Sequence, residues 1–214
     1  MAGLFVVFEG LDGAGKSTQV DLLRQSLEER GRAVIATREP GGTAIGDAIR
    51  DIMLGRDHRP LLPITQAFLM NAARAELVER VIQPALEQDY VVVSDRYWYS
   101  TLAYQSAGDG VSPEAVAMLS ATATGGLDPD IVFLLDVPPG HGLSRKRERD
   151  KNPLDRRGPD FYERVRRSYE ELSLRREDQW VRLDATRPPG DLAVQVLRQT
   201  LAAIDEAEAA PVTS

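Results

Sequence analysis

The chain has 214 residues, 43% of them hydrophobic and 28% charged, which is typical of a globular protein and excludes a disordered or fibrous chain. Acidic residues outnumber basic ones by 33 to 26, and the net charge of −7 argues against general nucleic-acid binding. There is no cysteine for a disulfide or a thiolate zinc site, and apolar runs such as Ile131–Leu135 are far shorter than the ~20 residues that span a membrane. Because strand-like sequence begins at Leu4, we expect no leader peptide and a cytoplasmic location.

Five short apolar runs predict the buried strands of a parallel sheet, and helical patterns alternate with them. In chain order the runs are Leu4–Phe8, Ala33–Thr37, Tyr90–Ser94, Ile131–Val137 and Trp180–Leu183. Such alternation is typical of an α/β fold in which helices cover both faces of the sheet. Ligands of these folds bind beyond the carboxyl ends of the strands, so we expect the chemistry just after each run.

Several helices carry recognisable boundaries or faces. Ser112 followed by Pro113 predicts an N-cap and a first helical residue, and Asp160 with Glu163 fits a capping box. The apolar residues of the last helix predict its buried face: Val194, Leu197, Leu201 and Ile204. We expect one domain over residues 1–205, with residues 206–214 as a flexible tail.

The first strand leads into a glycine-rich segment that matches the phosphate-binding motif G-x-x-x-x-G-K-[ST]. It reads Gly10-Leu11-Asp12-Gly13-Ala14-Gly15-Lys16-Ser17-Thr18. Backbone N–H groups of such a loop surround a phosphate chain, and the following helix adds its positive dipole end. The motif predicts that Lys16 reaches the β and γ phosphates and that the Ser17 hydroxyl ligates Mg²⁺. No lysine lies in the N-K-x-D sequence that a guanine-specific protein would need.

Charged residues follow two further strands. Arg38 opens Arg-Glu-Pro-Gly-Gly-Thr after the second strand, and Asp95 and Arg96 follow the third. We expect Asp95 to hold a water on the magnesium ion and Arg96 to bind a second phosphate, together with Arg38 and Arg74. The alternatives are a structural Asp95–Arg96 ion pair and solvated surface arginines at the other two positions.

The combination of these features predicts phosphoryl transfer between two nucleotides. Ser100, Thr101 and Gln105 offer hydroxyl and amide groups that read a base edge. An acceptor that is already a phosphate ionises near pH 6 and needs cations more than it needs a general base. The basic segment around residues 145–158 fits a lid that closes over the phosphates.

These motifs resemble those of the thymidylate kinase family, and the resemblance extends over about residues 4–204. The shared motifs are F-E-G-x-D-G-A-G-K-S-T, R-E-P-G-G-T, D-R-Y with S-T-x-A-Y-Q, and a lid with D-R followed by F-x-x-R-V-R-x-x-Y. The resemblance implies a P-loop nucleoside-monophosphate kinase fold with a five-stranded parallel sheet. It also implies the reaction MgATP + dTMP → ADP + dTDP in dTTP synthesis, and a homodimer.

Carried over by position, the resemblance assigns the acceptor site. Arg38, Arg74 and Arg96 match residues that hold the dTMP phosphate, and Asp12 matches the acid near the sugar 3′-hydroxyl. The groups that match thymine and sugar contacts are Thr101, Gln105 and Tyr104. Met70 stands where the family has a base-stacking phenylalanine, with Phe68 on another face of the helix; the alternative is that Met70 fills the core.

Gly13 occupies a P-loop position that is basic in one subgroup of the family. The chain therefore resembles the subgroup whose catalytic arginine comes from the lid, where Arg149 and Arg156 are the candidates and Arg147 a weaker one. Adenine contacts are expected near residues 184–186. Two other functions stay open from the sequence: a deoxynucleoside kinase acting on a 5′-hydroxyl, and a catalytically idle nucleotide-binding regulator.

Overall fold

The computed structural model describes residues 3–55, 61–141 and 157–209. Its centre is a five-stranded parallel sheet with the strand order β2–β3–β1–β4–β5. The strands are β1 (Leu4–Gly10), β2 (Val34–Arg38), β3 (Val91–Asp95), β4 (Ile131–Asp136) and β5 (Trp180–Asp184). Each predicted apolar run therefore forms a strand, and the predicted α/β fold is confirmed.

Helices surround this sheet. Their bounds are α1 (Lys16–Glu28), α2 (Ala44–Leu54), α3 (Pro63–Leu77), α4 (Gln83–Glu87), α5 (Trp98–Thr101), α6 (Pro113–Thr124), α7 (Pro159–Arg175) and α8 (Pro189–Ala209). Two π-helical segments, Val78–Ile82 and Leu102–Gly108, continue α3 and α5. In the described ranges, no helix combines the length and the apolar character that a membrane crossing requires.

The register of the sheet places the polar strand ends at one edge. Every residue of β1 is buried, and β1 lies between β3 and β4. Asp95 pairs with Phe8 on one side and with Arg38 on the other. From the end of β1 the chain crosses to β2, whereas from the end of β3 it crosses to β4 on the opposite side. A crevice between the carboxyl ends of β1 and β3 is where such sheets bind ligands.

Two predicted helix starts have different outcomes. Ser112 caps α6 as predicted, because its hydroxyl accepts the Ala115 N–H at 3.3 Å and Pro113 follows. The capping box predicted at Asp160 is wrong, since α7 begins at Pro159 and its N-cap is Gly158, without a side-chain cap. Proline at the first position already sets a helical φ and lacks the N–H that a cap would satisfy.

The buried face of α8 also differs from the prediction. Val194 is 71% exposed, and the buried residues follow a spacing of four: Leu192, Val196, Thr200 and Ile204. Thr200 fits this face because its hydroxyl donates to the Val196 carbonyl at 3.0 Å. The helix continues to Ala209, beyond the predicted start of the tail, and residues 210–214 lie outside the described part of the chain.

Candidate active site

The predicted phosphate loop joins the end of β1 to the start of α1. Gly10, Gly13 and Gly15 have φ values of +137°, +76° and +99°, which L side chains rarely adopt. A Cβ atom on Gly10 would also lie 2.5 Å from the Leu135 carbonyl oxygen. The loop therefore needs glycine for its conformation and, at Gly10, for its close approach to β4.

Lys16 is the first residue of α1 and is buried. Its ammonium donates to the carbonyl oxygens of Gly10 at 3.1 Å and Leu11 at 2.9 Å, so its side chain folds back over the loop. Burial, with a further contribution from Arg96, lowers the pKa of Lys16 to about 8. The carboxylates of Asp95, Asp12 and Glu9 oppose this fall, and a phosphate chain in the loop would add further negative charge.

The two predicted magnesium contacts are neighbours. The Ser17 hydroxyl donates to the Asp95 carboxylate at 2.5 Å, which brings together the start of α1 and the end of β3. Hydroxyl and carboxylate oxygens are hard donors of the kind that Mg²⁺ uses alongside phosphate oxygens and water. Within the described residues no group of three or more His, Asp or Glu side chains could hold a metal ion.

Arg96 connects the phosphate loop to the helix after β3. It has a positive φ of +79°, a strained conformation for a residue with a side chain. One guanidinium nitrogen donates to Asp12 at 2.8 Å, and the other to Gly10 carbonyl oxygen at 3.1 Å and to Ser100 Oγ at 2.9 Å. Among the described residues, the ion-pair partners of Arg96 are Asp12 and, at 4.0 Å, Glu9. The alternative of a structural Asp95–Arg96 pair is therefore not observed.

Glu9 supports Arg96 through Ser100, and it was not among the site residues predicted from the sequence. Its fully buried carboxylate accepts the Tyr97 N–H at 2.9 Å, the Ser100 hydroxyl at 2.6 Å and the Tyr169 hydroxyl at 2.8 Å. Burial raises the pKa of Glu9, while Arg96 and these hydrogen bonds oppose the rise. Its signal in the sequence is a single acid at the end of an otherwise apolar run.

A second arginine accompanies Arg38 at the end of β2. Arg38 is exposed, and its guanidinium lies 3.3 Å from Asp47 of α2. Arg50, also on α2, donates to the Pro40 carbonyl oxygen at 3.0 Å. Burial and the nearby positive charge of Arg38 lower the pKa of Arg50. The two guanidinium groups are therefore close enough to repel each other. Arg50 was not among the predicted residues.

Arg74 lies in a different environment from Arg38. Its guanidinium is fully buried and pairs with Glu39, with a shortest contact of 2.6 Å. It also donates to Asn71 Oδ1 at 2.7 Å and to Thr101 Oγ1 at 3.1 Å. The predicted alternative of a solvated helix arginine is wrong, and Glu39 is a partner that the sequence analysis did not name.

Two of the three predicted base-reading groups, Thr101 and Gln105, face α3, whereas the Ser100 hydroxyl bonds to Glu9 and Arg96. Gln105 lies in the π-helical segment after α5, and its amide donates to Gln66 of α3 at 3.3 Å. Together with the Arg74–Thr101 bond, this contact joins the two helices at two points four residues apart on the second helix. Met70, midway between Gln66 and Arg74 on α3, is buried against Ile49, Met53 and Ala73. Phe68 is 55% exposed and therefore lies on a different face of α3 from the buried Met70, as predicted.

Tyr104 and Asp12 lie beside Arg96. The Tyr104 hydroxyl donates to Asp12 at 3.3 Å and accepts a hydrogen bond from Arg96 at 3.3 Å. The Arg96 guanidinium carbon also lies 4.9 Å from the centre of the Tyr104 ring. Burial raises the pKa of Tyr104, which keeps its hydroxyl protonated as a donor. The lid candidates Arg149 and Arg156, and the weaker candidate Arg147, lie outside the described residues.

Comparison with known proteins identifies the family. A family model described as thymidylate kinase matches residues 8–196. The thymidylate kinase of Roseiflexus castenholzii is 44% identical over 225 residues, which cover 97% of this chain and 98% of that protein. The chain belongs to the thymidylate kinase family. The thymidylate kinase of Roseiflexus sp. strain RS-1 agrees, with 43% identity over 98% of this chain and 96% of its own length.

A thymidylate kinase of known structure shares this architecture. The crystal structure of thymidylate kinase from Ehrlichia chaffeensis resembles this chain with a TM-score of 0.76 and 27% sequence identity. The match covers 94% of this chain and 99% of that one. The protein is therefore a nucleoside-monophosphate kinase, a phosphotransferase that acts on dTMP, and the family and enzyme class predicted from the sequence are confirmed.

Proposed function

We propose that the protein transfers the γ-phosphoryl group of MgATP to the 5′-phosphate of dTMP, giving ADP and dTDP for dTTP synthesis. The observation that carries this proposal is the meeting of two cationic sites at one edge of the sheet. Lys16 lies in the phosphate loop after β1, and Arg96 reaches back to that loop from the end of β3. Two anionic substrates need such compensation, because their phosphates must approach each other for in-line transfer.

The donor phosphates are assigned to the loop. Backbone N–H groups of residues 10–18 and the N-terminus of α1 surround the phosphate chain, and Lys16 stabilises charge on the transferred group. Ser17 and Asp95, the latter through water, would hold Mg²⁺, which neutralises charge on the phosphate oxygens when bound. The adenine is assigned to the turn after β5, where Asp184 accepts from the backbone and hydroxyl of Thr186.

The acceptor phosphate is assigned to Arg96 and Arg38, with Arg50 as an addition from the structure. Arg96 is held in a fixed position by its bonds to the loop. Arg50 is bonded to Pro40 and lies near enough to Arg38 for that charge to lower its pKa. An acceptor phosphate is already ionised near neutral pH, so the reaction needs no residue to deprotonate it. The arginines orient the dianion and offset its repulsion from the γ-phosphate.

The nucleoside of dTMP is assigned to the space between α3 and the helix after β3. We assign the sugar to Asp12 and Tyr104, and the thymine to Thr101 and Gln105. Ser100 and Met70 are assigned to the rim of this space, because Ser100 is already bonded to Glu9 and Met70 packs against Ile49. The Arg74–Thr101 bond places Arg74 next to the base-reading hydroxyl, and Glu39 neutralises its charge. We therefore assign Arg74 to the acceptor nucleotide as a buried group that holds Thr101 in place.

The remaining catalytic charge is assigned to the lid. Since Gly13 supplies no cation from the phosphate loop, Arg149 and Arg156 are proposed to reach the transferred group from residues 145–158. Separate alanine variants should identify the catalytic arginine by a kcat at least about 100-fold lower with little change in KM, as for loss of a contact made in the transition state. Arg147→Ala should have the smallest effect of the three.

We also propose that the protein is a homodimer that pairs through α2, α3 and α6. In the described part of the chain, six of the eight large apolar side chains that are exposed lie on or directly before these helices. They are Ile45, Ile52, Leu62, Ile64, Phe68 and Met118. Exposed apolar residues of a monomer are usually scattered, so this concentration fits an interface with a second copy. The cytoplasmic location stays a prediction.

The choice of acceptor tests the proposal. Thymidine presents a 5′-hydroxyl, which a deoxynucleoside kinase must deprotonate, whereas dTMP presents a phosphate to the arginines. We expect ADP formation with dTMP and little or none with thymidine, and loss of activity in a folded Lys16→Ala variant. Equal activity with thymidine would favour the deoxynucleoside kinase, and ATP binding without any ADP would favour the idle regulator.

A further inference from the structure

The side-chain amide of Gln66 links the start of α3 to Gln105. Gln66 is 3% exposed and Gln105 is 4% exposed, so both amides are shielded from water. Gln66 Nε2 donates to the Leu61 carbonyl oxygen at 3.0 Å, and Gln66 Oε1 accepts from Gln105 Nε2 at 3.3 Å. Leu61, Gln66 and Gln105 thus form a short hydrogen-bonded chain that ends at the proposed base-reading residue.

The first member of this chain fixes the orientation of the other two. A carbonyl oxygen accepts hydrogen bonds and cannot donate, so the Leu61 carbonyl requires the nitrogen end of the Gln66 amide. The oxygen end of Gln66 must then face Gln105, and it requires the nitrogen end of that amide in turn. The other terminal atom of the Gln105 amide, Oε1, does not take part in the bond to Gln66.

This orientation determines what Gln105 can recognise. Because Nε2 is engaged by Gln66, Oε1 is the amide atom that Gln105 has left for the base. An amide oxygen accepts a hydrogen bond, and a pyrimidine with a ring N3–H can supply it. Thymine and uracil carry that N–H, whereas the N3 of cytosine is an acceptor. A flipped Gln105 would favour cytosine, but the flip would bring two oxygens together at Gln66 and leave both without a donor.

We propose that Gln66 is a positioning residue that sets the pyrimidine specificity of the acceptor site by fixing the amide of Gln105. This inference rests on the proposed function, because it requires that Gln105 faces the base. Arg74 lies two turns further along α3 and bonds to Thr101, one turn before Gln105. The two helices are therefore held together independently of Gln66, and changing Gln66 alters the amide without separating them.

The test uses two variants of Gln66 that change its hydrogen-bonding capacity and keep the volume of its side chain nearly constant. Gln66→Met removes both hydrogen bonds and lets Gln105 turn, whereas Gln66→Glu retains an acceptor facing Gln105, and a protonated carboxyl would also donate to Leu61. Gln88→Met is the matched control, because Gln88 also donates to a backbone carbonyl, that of Pro84, on the exposed end of α4. The measured quantity is the ratio of kcat/KM for dTMP to kcat/KM for dCMP.

We expect Gln66→Met to lower this ratio roughly 5- to 100-fold, the range for one unsatisfied buried hydrogen bond. Gln66→Glu and Gln88→Met should stay close to the unmodified protein, with the KM for ATP unchanged in all three. In a Gln105→Ala background, Gln66→Met should have no further effect on the ratio. If Gln66→Met does not fold by circular dichroism, Gln66→Ser, which is too short to reach Gln105, replaces it.

The outcomes separate this inference from the proposed function. If Gln105→Ala changes the ratio and the folded Gln66 variant does not, Gln66 has no part in specificity and the inference is overturned. If Gln105→Ala itself leaves the ratio unchanged, the assignment of Gln105 to the base fails, and the inference fails with it. A drop with Gln66→Met that Gln66→Glu shares would overturn the orientation argument, since only the loss of the acceptor should matter.

Discussion

At the scale of single residues, Lys16 carries a buried ammonium group whose charge a bound phosphate chain would stabilise. Burial and the charge of Arg96 lower its pKa to about 8, and a bound phosphate chain should raise that value. We therefore predict that ATP binding at pH 8 takes up about half a proton. Calorimetric titrations in two buffers of different ionisation enthalpy measure this uptake, and a Lys16→Met variant should lack it. Equal binding enthalpies in the two buffers would contradict the prediction.

The same pKa has a consequence for the nucleotide-free protein. The pKa of Lys16 lies below its ordinary value of 10.5, so the folded state binds fewer protons than the unfolded state between these values. The contribution of Lys16 to stability is therefore most unfavourable below pH 8 and improves as the pH rises from 8 toward 10.5.

Glu9 is predicted to support the acceptor site through Arg96. Glu9→Gln replaces a carboxylate that accepts three hydrogen bonds by an amide whose NH₂ opposes a donor, at a loss of about 1–3 kcal/mol in the free energy of unfolding. Because Ser100 bonds to both Glu9 and Arg96, the KM for dTMP should rise as well.

Asp130→Asn is the control for Glu9, since Asp130 accepts a hydrogen bond from the Phe5 N–H at the other end of β1. It should lower stability and leave the KM for dTMP unchanged. If the Glu9→Gln protein loses stability but keeps its KM for dTMP, Glu9 has a structural role only. Thermal melting and steady-state kinetics on the two variants decide between these outcomes.

The buried Arg74–Glu39 pair changes what an Arg74 variant is expected to do. From the sequence, Arg74→Ala should affect only the acceptor side. The structure adds that the variant leaves Glu39 buried without its cation, and we predict a loss of about 3–5 kcal/mol in the free energy of unfolding. Adding Glu39→Gln should recover part of it, and Arg80→Ala, at an exposed pair, should leave stability nearly unchanged. An Arg74→Ala protein with normal denaturant unfolding would contradict this account.

At the scale of elements, the strands were predictable because the sheet is buried on both faces. β1, β3 and β4 are nearly continuous apolar runs, and turn residues mark their ends. The two π-helical segments were not predictable, because nothing in the local sequence distinguishes a π turn from an α turn. The segment that carries Tyr104 and Gln105 packs against α3, α6 and α7, which are distant in sequence or follow it in the chain.

The carboxylate of Asp136 connects three elements and supports a prediction about α7. It accepts two hydrogen bonds from Arg166 of α7, at 2.8 and 3.1 Å, and further bonds from Arg182 of β5. Although burial alone would raise it, these arginines hold the pKa of Asp136 below its ordinary value. This contribution is complete at neutral pH and disappears as the pH falls through the lowered pKa.

We therefore predict that Asp136→Asn lowers stability by about 2 kcal/mol at pH 7, or about 4–8 °C in Tm. The difference from the unmodified protein should shrink as the pH approaches 3. Asp191→Asn, at an exposed pair with Arg187, should cause little change at either pH. Equal Tm values for Asp136→Asn and the unmodified protein at pH 7 would show that α7 does not depend on this contact.

At the scale of the whole molecule, the proposed interface supplies a prediction about assembly. Phe68 is 55% exposed on α3, and a charge there should oppose pairing with a second copy. We expect Phe68→Asp to halve the mass measured by light scattering, or to make it depend on concentration. Val194→Asp is the matched control on α8 and should keep the dimer mass. A monomeric unmodified protein, or a dimeric Phe68→Asp variant, would contradict the proposed interface.

The sequence predicted the main chemical groups of the site because they lie in contiguous motifs at strand ends. Lys16, Ser17, Asp95 and Arg96 all lie at the edge where parallel strands bring them together. It did not predict Glu9, Glu39, Arg50 and Gln66, which support those groups from buried or distant positions. Their contacts join residues far apart in the chain, and a single sequence carries no local signal for such contacts.

The central claim is that this site transfers phosphate from ATP to dTMP. The most direct measurement is an ADP-release screen across the nucleoside monophosphates with Mg²⁺, in which the diphosphate product is identified by chromatography. We predict the highest kcat/KM for dTMP, with dTDP formed in equal amount to ADP and no product from a folded Lys16→Ala protein. Preference for a purine monophosphate, or no diphosphate from any acceptor, would contradict it.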